Sequence, residues 1–114
     1  MDSLDLAKRA AAIAEDKKAT RILVLDMNGA TDVCQHMMIC SGSNERQTKA
    51  IADAIEEQLK AEHNERPLAV EGKANGHWVL LDYGHIIFHI FFDYVRDYYS
   101  LEKLWSTAKI VNHK

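Results

Sequence analysis

The sequence predicts a single α+β domain over residues 1–114, with a mixed β-sheet of about five strands and packed helices. Apolar residues recur at helical spacing in two windows, and five short apolar runs are bounded by Gly, Asn or Pro. Two of these runs precede the second helical window and three follow it. The predicted order is therefore helix, strand, strand, helix, three strands and a final helix. A chain of 114 residues can bury a core of its own.

Residues 3–18 are predicted to form the first helix. Leu6, Ala10 and Ile13 follow the i, i+4, i+7 spacing of one buried helix face, and Asp2 or Ser3 can cap the N-terminus. Because the stripe is mostly alanine, we expect the helix to pack either closely or weakly against its neighbours.

Two strands are predicted next, at residues 21–26 and 35–40. The first is a run of branched apolar residues that is followed by the turn signal Asn28-Gly29. The loop between the runs is longer than a tight hairpin needs. The sequence therefore leaves the relative direction of these two strands open.

The second helix is predicted to extend to about residue 63. Asn44, with Gln47 three residues later, resembles a capping box, while Ser43 is a rival cap, and Pro67 follows the end of the helix. The predicted buried stripe consists of Ala50, Ile51, Ala52, Ala54, Ile55 and Leu59.

The stretch from residue 69 to residue 105 is expected to organise the domain, because it holds both tryptophans and every phenylalanine and tyrosine. It begins with a short run at residues 68–70 and continues with runs at 77–83 and 86–92. In the run 77–83, Trp78, Leu80 and Asp82 alternate with His77, Val79, Leu81 and Tyr83. Both sides of the two longer runs are largely apolar, which predicts central strands covered on both faces.

After Phe92 the chain is predicted to turn helical. Tyr94, Tyr98, Leu101 and Trp105 would form one aromatic ridge on a continuous helix, whereas Ser100 could instead start a separate short helix. We expect residues 106–114 to be a frayed tail.

Composition favours a cytoplasmic protein without a membrane span. The formal net charge of −3 argues against a broad basic surface for nucleic acid, so we expect no direct sequence-specific nucleic-acid binding. Cys34 and Cys40 lack the spacing of a redox pair or zinc knuckle and are predicted to be free thiols in a reducing cytosol. No apolar run approaches the roughly 20 residues of a membrane span, and the first ten residues do not resemble a signal peptide.

Gly42-Ser43, at a predicted strand-to-helix junction, allows two interpretations. Such a junction can hold phosphate, and nucleotidyltransferase-type enzymes place a Gly-Ser pair there. Those enzymes also need paired carboxylates for magnesium on the next strand, where residues 68–74 offer only Glu71. A simple helix cap is therefore favoured over a nucleotide site.

The histidines are not predicted to bind a metal. Four residues of extended strand span roughly 13 Å, which is too far for His85 and His89 to share one ion. His89, between Phe88 and Ile90, is predicted to be a hydrogen-bonded interior histidine.

Trp78 is predicted to be either a core residue or an interface anchor, and Asp82-Tyr83 either turn chemistry or a contact with a partner. No nucleophile is accompanied by a plausible base and orienting group. The residues therefore favour a binding module over an enzyme, with no cofactor and no metal.

The aromatic block carries a specific combination of motifs. They are Glu71-Gly72, WVLLDYG at residues 78–84, His89-Ile90-Phe91, Arg96, Tyr99, Leu101-Glu102 and Leu104-Trp105. Upstream, Ser41-Gly42-Ser43, Arg46-Gln47 and Ala50-Ile51-Ala52 fit the same pattern. The combination closely resembles the ribosomal silencing factor family (RsfS, also called Iojap) over nearly the whole chain. Mild departures, such as His85 in place of an expected aspartate, bear on single contacts and not on membership.

The resemblance implies a translational repressor that is not an enzyme, with a fold similar to nucleotidyltransferases but without their catalytic metal ligands. It implies binding to the large ribosomal subunit through ribosomal protein fourteen, on the face that meets the small subunit. Association of the subunits would then be blocked, especially under nutrient limitation. The free chain is expected to form a homodimer. The alternatives are a large-subunit assembly factor without repression and, less favoured, a nucleotide-binding enzyme.

Six residues are predicted to bind the partner, namely Trp78, Leu80, Asp82, Tyr83, Glu71 and Arg96. Trp78, Leu80 and Asp82 share one face of their strand, with Tyr83 at its end. Glu71 and Arg96 could instead brace the strands.

Overall fold

The helices and strands follow the predicted order, with one additional strand at the end. The computed structural model describes residues 2–99 and 107–113, without the side chains of Tyr98 and Tyr99. The elements are α1 (Ser3–Asp16), β1 (Thr20–Asp26), β2 (His36–Gly42), α2 (Glu45–His63), β3 (Ala69–Glu71), β4 (Trp78–Asp82), β5 (Ile86–Phe92), α3 (Asp93–Tyr99) and β6 (Lys109–Val111). None of the helices within these two ranges is long and apolar enough to cross a membrane.

One mixed sheet has the strand order β3-β4-β5-β2-β1-β6. β2 and β5 run parallel at its centre, and every other neighbouring pair is antiparallel. The direction of β1 relative to β2, which the sequence left open, is therefore antiparallel. The predicted α+β class and mixed sheet are confirmed. The nucleotidyltransferase likeness stays a prediction.

The cap of α2 differs in detail from the predicted capping box. Asn44 is the cap, since its Oδ1 accepts the Gln47 backbone N–H at 2.8 Å. Gln47 Oε1 accepts from the backbone N–H of Ser43 at 2.6 Å, one residue earlier than the box requires, and from the Ser43 hydroxyl at 2.7 Å. The Gln47 amide also donates to the carbonyls of Lys17 and Lys18, which joins α2 to the end of α1.

The sheet has an apolar cluster on each face. The larger cluster lies beneath α1 and α2, where Ala7, Ala10, Ala11 and Ala14 of α1 are fully buried, so this helix packs closely. The second cluster, on the opposite face, includes Ile39, Ile87 and Phe91, with Val95 of α3 packed against it. The prediction that the central strands are covered on both faces holds best for β5, which is buried from Ile86 to Phe91.

The predicted stripe of α2 was wrong at one position. Ala50 is exposed, and Thr48 is buried instead. The Thr48 hydroxyl donates to the Asn44 carbonyl at 3.0 Å, and its side chain packs where a Cβ on Gly42 would lie. Because the hydroxyl is satisfied within the helix, a polar residue occupies a position that the apolar pattern assigned to a neighbour.

The prediction of a frayed tail was wrong for Lys109–Val111. These residues form β6 and pair with β1, with Val24 opposite Val111 and Asp26 opposite Lys109. The backbone hydrogen bonds of this ladder come from β1, which is distant in sequence, so the local composition gave no sign of them. Tyr94 of the predicted aromatic ridge is exposed, whereas the Tyr98 side chain, Leu101 and Trp105 lie outside the described residues.

Candidate functional site

Four of the six predicted partner-binding residues lie on one face of the β3–β4 edge of the sheet. Alternation along β4 places Trp78, Leu80 and Asp82 on the same side. Glu71 of β3 stands directly opposite Leu80 and so shares that side. We call these four residues the Trp78 face. Glu71 is exposed and the other three are half-buried.

The Trp78 indole is packed against the sheet and also reaches the surface. Its ring stacks on Phe91 with centroids 4.8 Å apart and an interplanar angle of 28°. Its Nε1–H donates to His89 Nδ1 at 3.0 Å. The ring is therefore half-buried on a support of β5 side chains, and its role as an interface anchor stays a prediction.

His89 is the interior, hydrogen-bonded histidine that the sequence predicted. It is only 5% exposed, and burial lowers the pKa of its imidazole to about 4. At neutral pH the ring is therefore uncharged. Because the indole donates to Nδ1, that nitrogen carries no proton and Nε2 holds the ring hydrogen.

Burial of a neutral histidine should make the fold sensitive to acid. In the unfolded chain His89 takes up a proton near its ordinary pKa of 6.5, whereas in the folded chain it does so only near 4. The unfolded state thus binds more protons between these values. The His89 contribution to stability is full above pH 6.5 and is lost as the pH falls towards 4, by about 2 kcal/mol at pH 5.

The loss of the His89 contribution to stability can be measured by urea unfolding. The parent chain and His89→Asn are compared at about pH 7.5 and about pH 5. The other titrating groups are common to both chains. The free energy of unfolding of the parent, minus that of His89→Asn, should therefore be smaller at the lower pH. Parallel pH dependences would contradict the assignment.

Tyr83 lies on the opposite side of the sheet from the Trp78 face, and Arg96 is buried. Tyr83 is 5% exposed and packs in the larger cluster on the helix side of the sheet, with its ring 5.2 Å from that of Phe88. Burial raises the pKa of its hydroxyl. A partner seated on the Trp78 face would therefore meet the opposite side of the sheet from this ring.

Arg96 of α3 is 1% exposed and braces two strands, the second of the roles predicted for it. Its guanidinium donates to the Arg21 carbonyl of β1 at 2.5 Å and to the Ser41 hydroxyl of β2 at 2.9 Å. Arg21 in turn forms ion pairs with Asp93 and Asp97 of α3, both at 2.9 Å. The contacts therefore hold α3 on the sheet.

Asp82 has the first of the two roles that the sequence allowed, and its contact with a partner stays a prediction. Its Oδ1 accepts the Gly84 backbone N–H at 2.8 Å, which is turn chemistry. The residue nevertheless remains half-buried at the end of the Trp78 face, so the carboxylate contributes negative charge there.

A clamp that the sequence analysis missed holds the β3–β4 turn on α2. Lys73 Nζ lies 2.5 Å from carboxylate oxygens of both Asp53 and Glu56, and Lys49 Nζ donates to the Ala74 carbonyl at 2.9 Å. Gly72 has φ of +83°, and a Cβ there would overlap the Trp78 carbonyl oxygen. The turn therefore fixes the edge that carries Glu71 and Trp78. The three-residue spacing of Asp53 and Glu56 was the available signal.

The Gly42-Ser43 junction uses its polar groups within the fold. The Ser43 backbone N–H and hydroxyl both donate to Gln47, and Thr48 packs against Gly42. These contacts favour the helix-cap interpretation over a phosphate site. In residues 2–99 and 107–113, no three His, Cys, Asp or Glu side chains are grouped so as to hold a metal ion.

Comparison with known proteins gives a consistent result. A family model described as "Ribosomal silencing factor during starvation" (RsfS) matches residues 1–114. The "Ribosomal silencing factor RsfS" of Bacillus subtilis is 38% identical over 112 residues, which cover 98% of this chain and 94% of that protein. The protein of the same name from Chromobacterium violaceum is 36% identical over 109 residues, covering 96% and 88%.

A solved structure has the same fold. A crystal structure of a Chromobacterium violaceum protein superposes with a TM-score of 0.88 at 35% sequence identity, and the match covers 93% of this chain and 88% of that one.

Proposed function

The chain belongs to the ribosomal silencing factor family, and from this premise we propose that it represses translation by occupying the large ribosomal subunit. Membership gives it a role in ribosome silencing and a ribosome as partner. The proposal adds that it binds ribosomal protein fourteen and blocks association with the small subunit, especially under nutrient limitation. It acts in the cytoplasm and as a regulatory factor, not as an enzyme.

The observation that carries the proposal is the composition and support of the Trp78 face. Half-buried Trp78 and Leu80 supply apolar area at a sheet edge, and tryptophan is, with Tyr and Arg, one of the residue types most enriched among interface anchors. Glu71 and Asp82 add negative charge beside them. A basic ribosomal surface would be attracted to this acidic rim, and the aromatic centre would form the dry core of the contact.

Blocking by occupancy requires no reacting group. A bound protein need only dissociate slowly from a surface on which another large body must lie. The rigid edge described above, which α2 clamps through Lys73, suits that task because little ordering is needed on binding. We further propose that the free chain forms a homodimer that covers part of the same surface, so that the monomer binds the ribosome.

Sedimentation of ribosomal subunits with and without the chain tests the proposal. We expect the chain to travel with the large subunit and the peak of joined ribosomes to fall. A chain that stays at the top of the gradient would refute the docking. A chain that travels with precursor particles, while joined ribosomes are unchanged, would refute repression in favour of an assembly role.

Charge reversal at the rim gives a matched test of where the chain docks. Glu71→Arg should weaken binding to the large subunit about tenfold at low salt, mainly by slowing association, and the effect should diminish as salt rises. Glu57→Arg changes the net charge equally at an exposed position of α2 and should bind as the parent chain does. Equal losses for both variants would point to net charge rather than to the Trp78 face.

A further inference from the structure

The orientation of the Trp78 indole is fixed from within the sheet. Trp78 stands directly opposite Phe91, and His89 lies two residues along β5 on the same side. The indole stacks on Phe91 and leans towards His89, with ring centroids 5.8 Å apart and the Nε1–H bonded to Nδ1. Rotamers that turn the indole away from His89 would break this hydrogen bond.

We propose that His89 is a positioning residue for ribosome docking, which holds the Trp78 indole in the orientation that the partner recognises. The inference rests on the proposed function, because it concerns the same face. His89 itself need not touch the partner, since it is 5% exposed and acts through the ring above it.

The residue type at this position supports the assignment. The neighbours of His89 on that side of β5 are Ile87 and Phe91, both in the second apolar cluster. An apolar residue would fill the same place without the cost of removing an imidazole from water. What the imidazole adds is an acceptor aimed at the indole, and its low pKa keeps that acceptor unprotonated at neutral pH.

The size of the effect follows from preorganisation. A ligand site that is correctly formed only part of the time binds with an affinity reduced by that fraction. The loss of one hydrogen bond that selects a rotamer lowers the ratio of the competent orientation to the alternatives by about fivefold to tenfold. Binding should therefore weaken by up to about tenfold, through a residue that the partner does not contact.

Two substitutions separate the hydrogen bond from mere packing. His89→Leu removes the acceptor, whereas His89→Asn keeps an oxygen close to the position of Nδ1. We expect His89→Leu to bind purified large subunits more than about twofold and up to about tenfold more weakly than the parent, and His89→Asn to bind within about twofold of it. In a Trp78→Ala background, His89→Leu should cause no further loss, because His89 acts through Trp78.

The indole N–H of Trp78 provides a readout that does not depend on the ribosome. In the nitrogen-labelled chain its NMR signal, assigned by its disappearance in Trp78→Phe, should exchange faster with solvent in His89→Leu and recover in His89→Asn. Should His89→Leu fail to fold, Trp78→Phe removes the donor and leaves His89 in place. That variant should then bind more weakly, and parent-like binding would overturn the inference.

The outcomes distinguish this inference from the proposed function. A parent chain that does not bind large subunits refutes the proposed function, and the inference fails with it. A parent chain that binds, with His89→Leu binding equally well although its indole exchanges faster, overturns the inference alone. Weaker binding of His89→Leu with unchanged indole exchange also overturns it, because His89 would then act by another route.

Discussion

Trp78→Ala should reduce the affinity of the chain for the large ribosomal subunit by about thirtyfold or more. The substitution removes the largest apolar side chain of the Trp78 face, and truncated interface anchors of this type commonly cost about 2 kcal/mol or more of binding free energy. It also opens the space above Phe91 to water. Binding to purified subunits, measured by sedimentation over a range of concentrations, gives the change directly.

The fold should survive this substitution, because Trp78 is half-buried and the larger apolar cluster lies on the other face of the sheet. A circular-dichroism melt checks the point and should show a lower but still cooperative transition. Ile110→Ala is the control, since Ile110 is an apolar residue that is 72% exposed and lies on β6, at the opposite edge of the sheet from β3 and β4. Loss of the folded state in Trp78→Ala would show instead that the indole belongs to the core.

Arg96→Ala should lower the free energy of unfolding by about 3 kcal/mol, a large part of the stability of a small domain. It would leave the Arg21 carbonyl and the Ser41 hydroxyl without their bonds to the guanidinium and would open a cavity beneath α3. Arg21 has a positive φ of 50° beside an irregularity in the β1–β2 register. Arg96 therefore also secures a strained segment of β1.

Urea unfolding of Arg96→Ala and of Arg66→Ala tests this role. Arg66 is exposed, so its loss should change stability by less than about 0.5 kcal/mol. Arg96→Met, which fills much of the same space, should fall between the two. An Arg96→Ala chain as stable as the parent would mean that the guanidinium does not brace the sheet.

The parts of the fold that repeat at short range could be predicted from the sequence. The helical spacing of Leu6, Ala10 and Ile13 and the alternation along β4 both express a local period, and the first two helices and the five predicted strands appeared close to their predicted bounds. The same alternation placed Trp78, Leu80 and Asp82 on one face. His89 could be predicted as interior because apolar residues flank it on both sides.

The parts that depend on distant partners could not be predicted. β6 forms because it pairs with the free edge of β1, and the residues Lys109–Val111 do not themselves indicate this partner. The side chains of Tyr83 and Arg96 are polar at one end, and both residues were therefore predicted to lie at the surface and contact a partner. Whether such a group is buried depends on acceptors and packing from other elements, as the carbonyl of Arg21 shows for Arg96.

The pairing of β6 with β1 also determines the order in which the sheet can be completed during synthesis. β1 and β2 are made first and can pair as neighbours, whereas the outer side of β1 has no partner until Lys109–Val111 has been translated. An open strand edge is a template for pairing with other chains. Until β6 is made, the growing chain therefore exposes a strand edge that the finished protein covers.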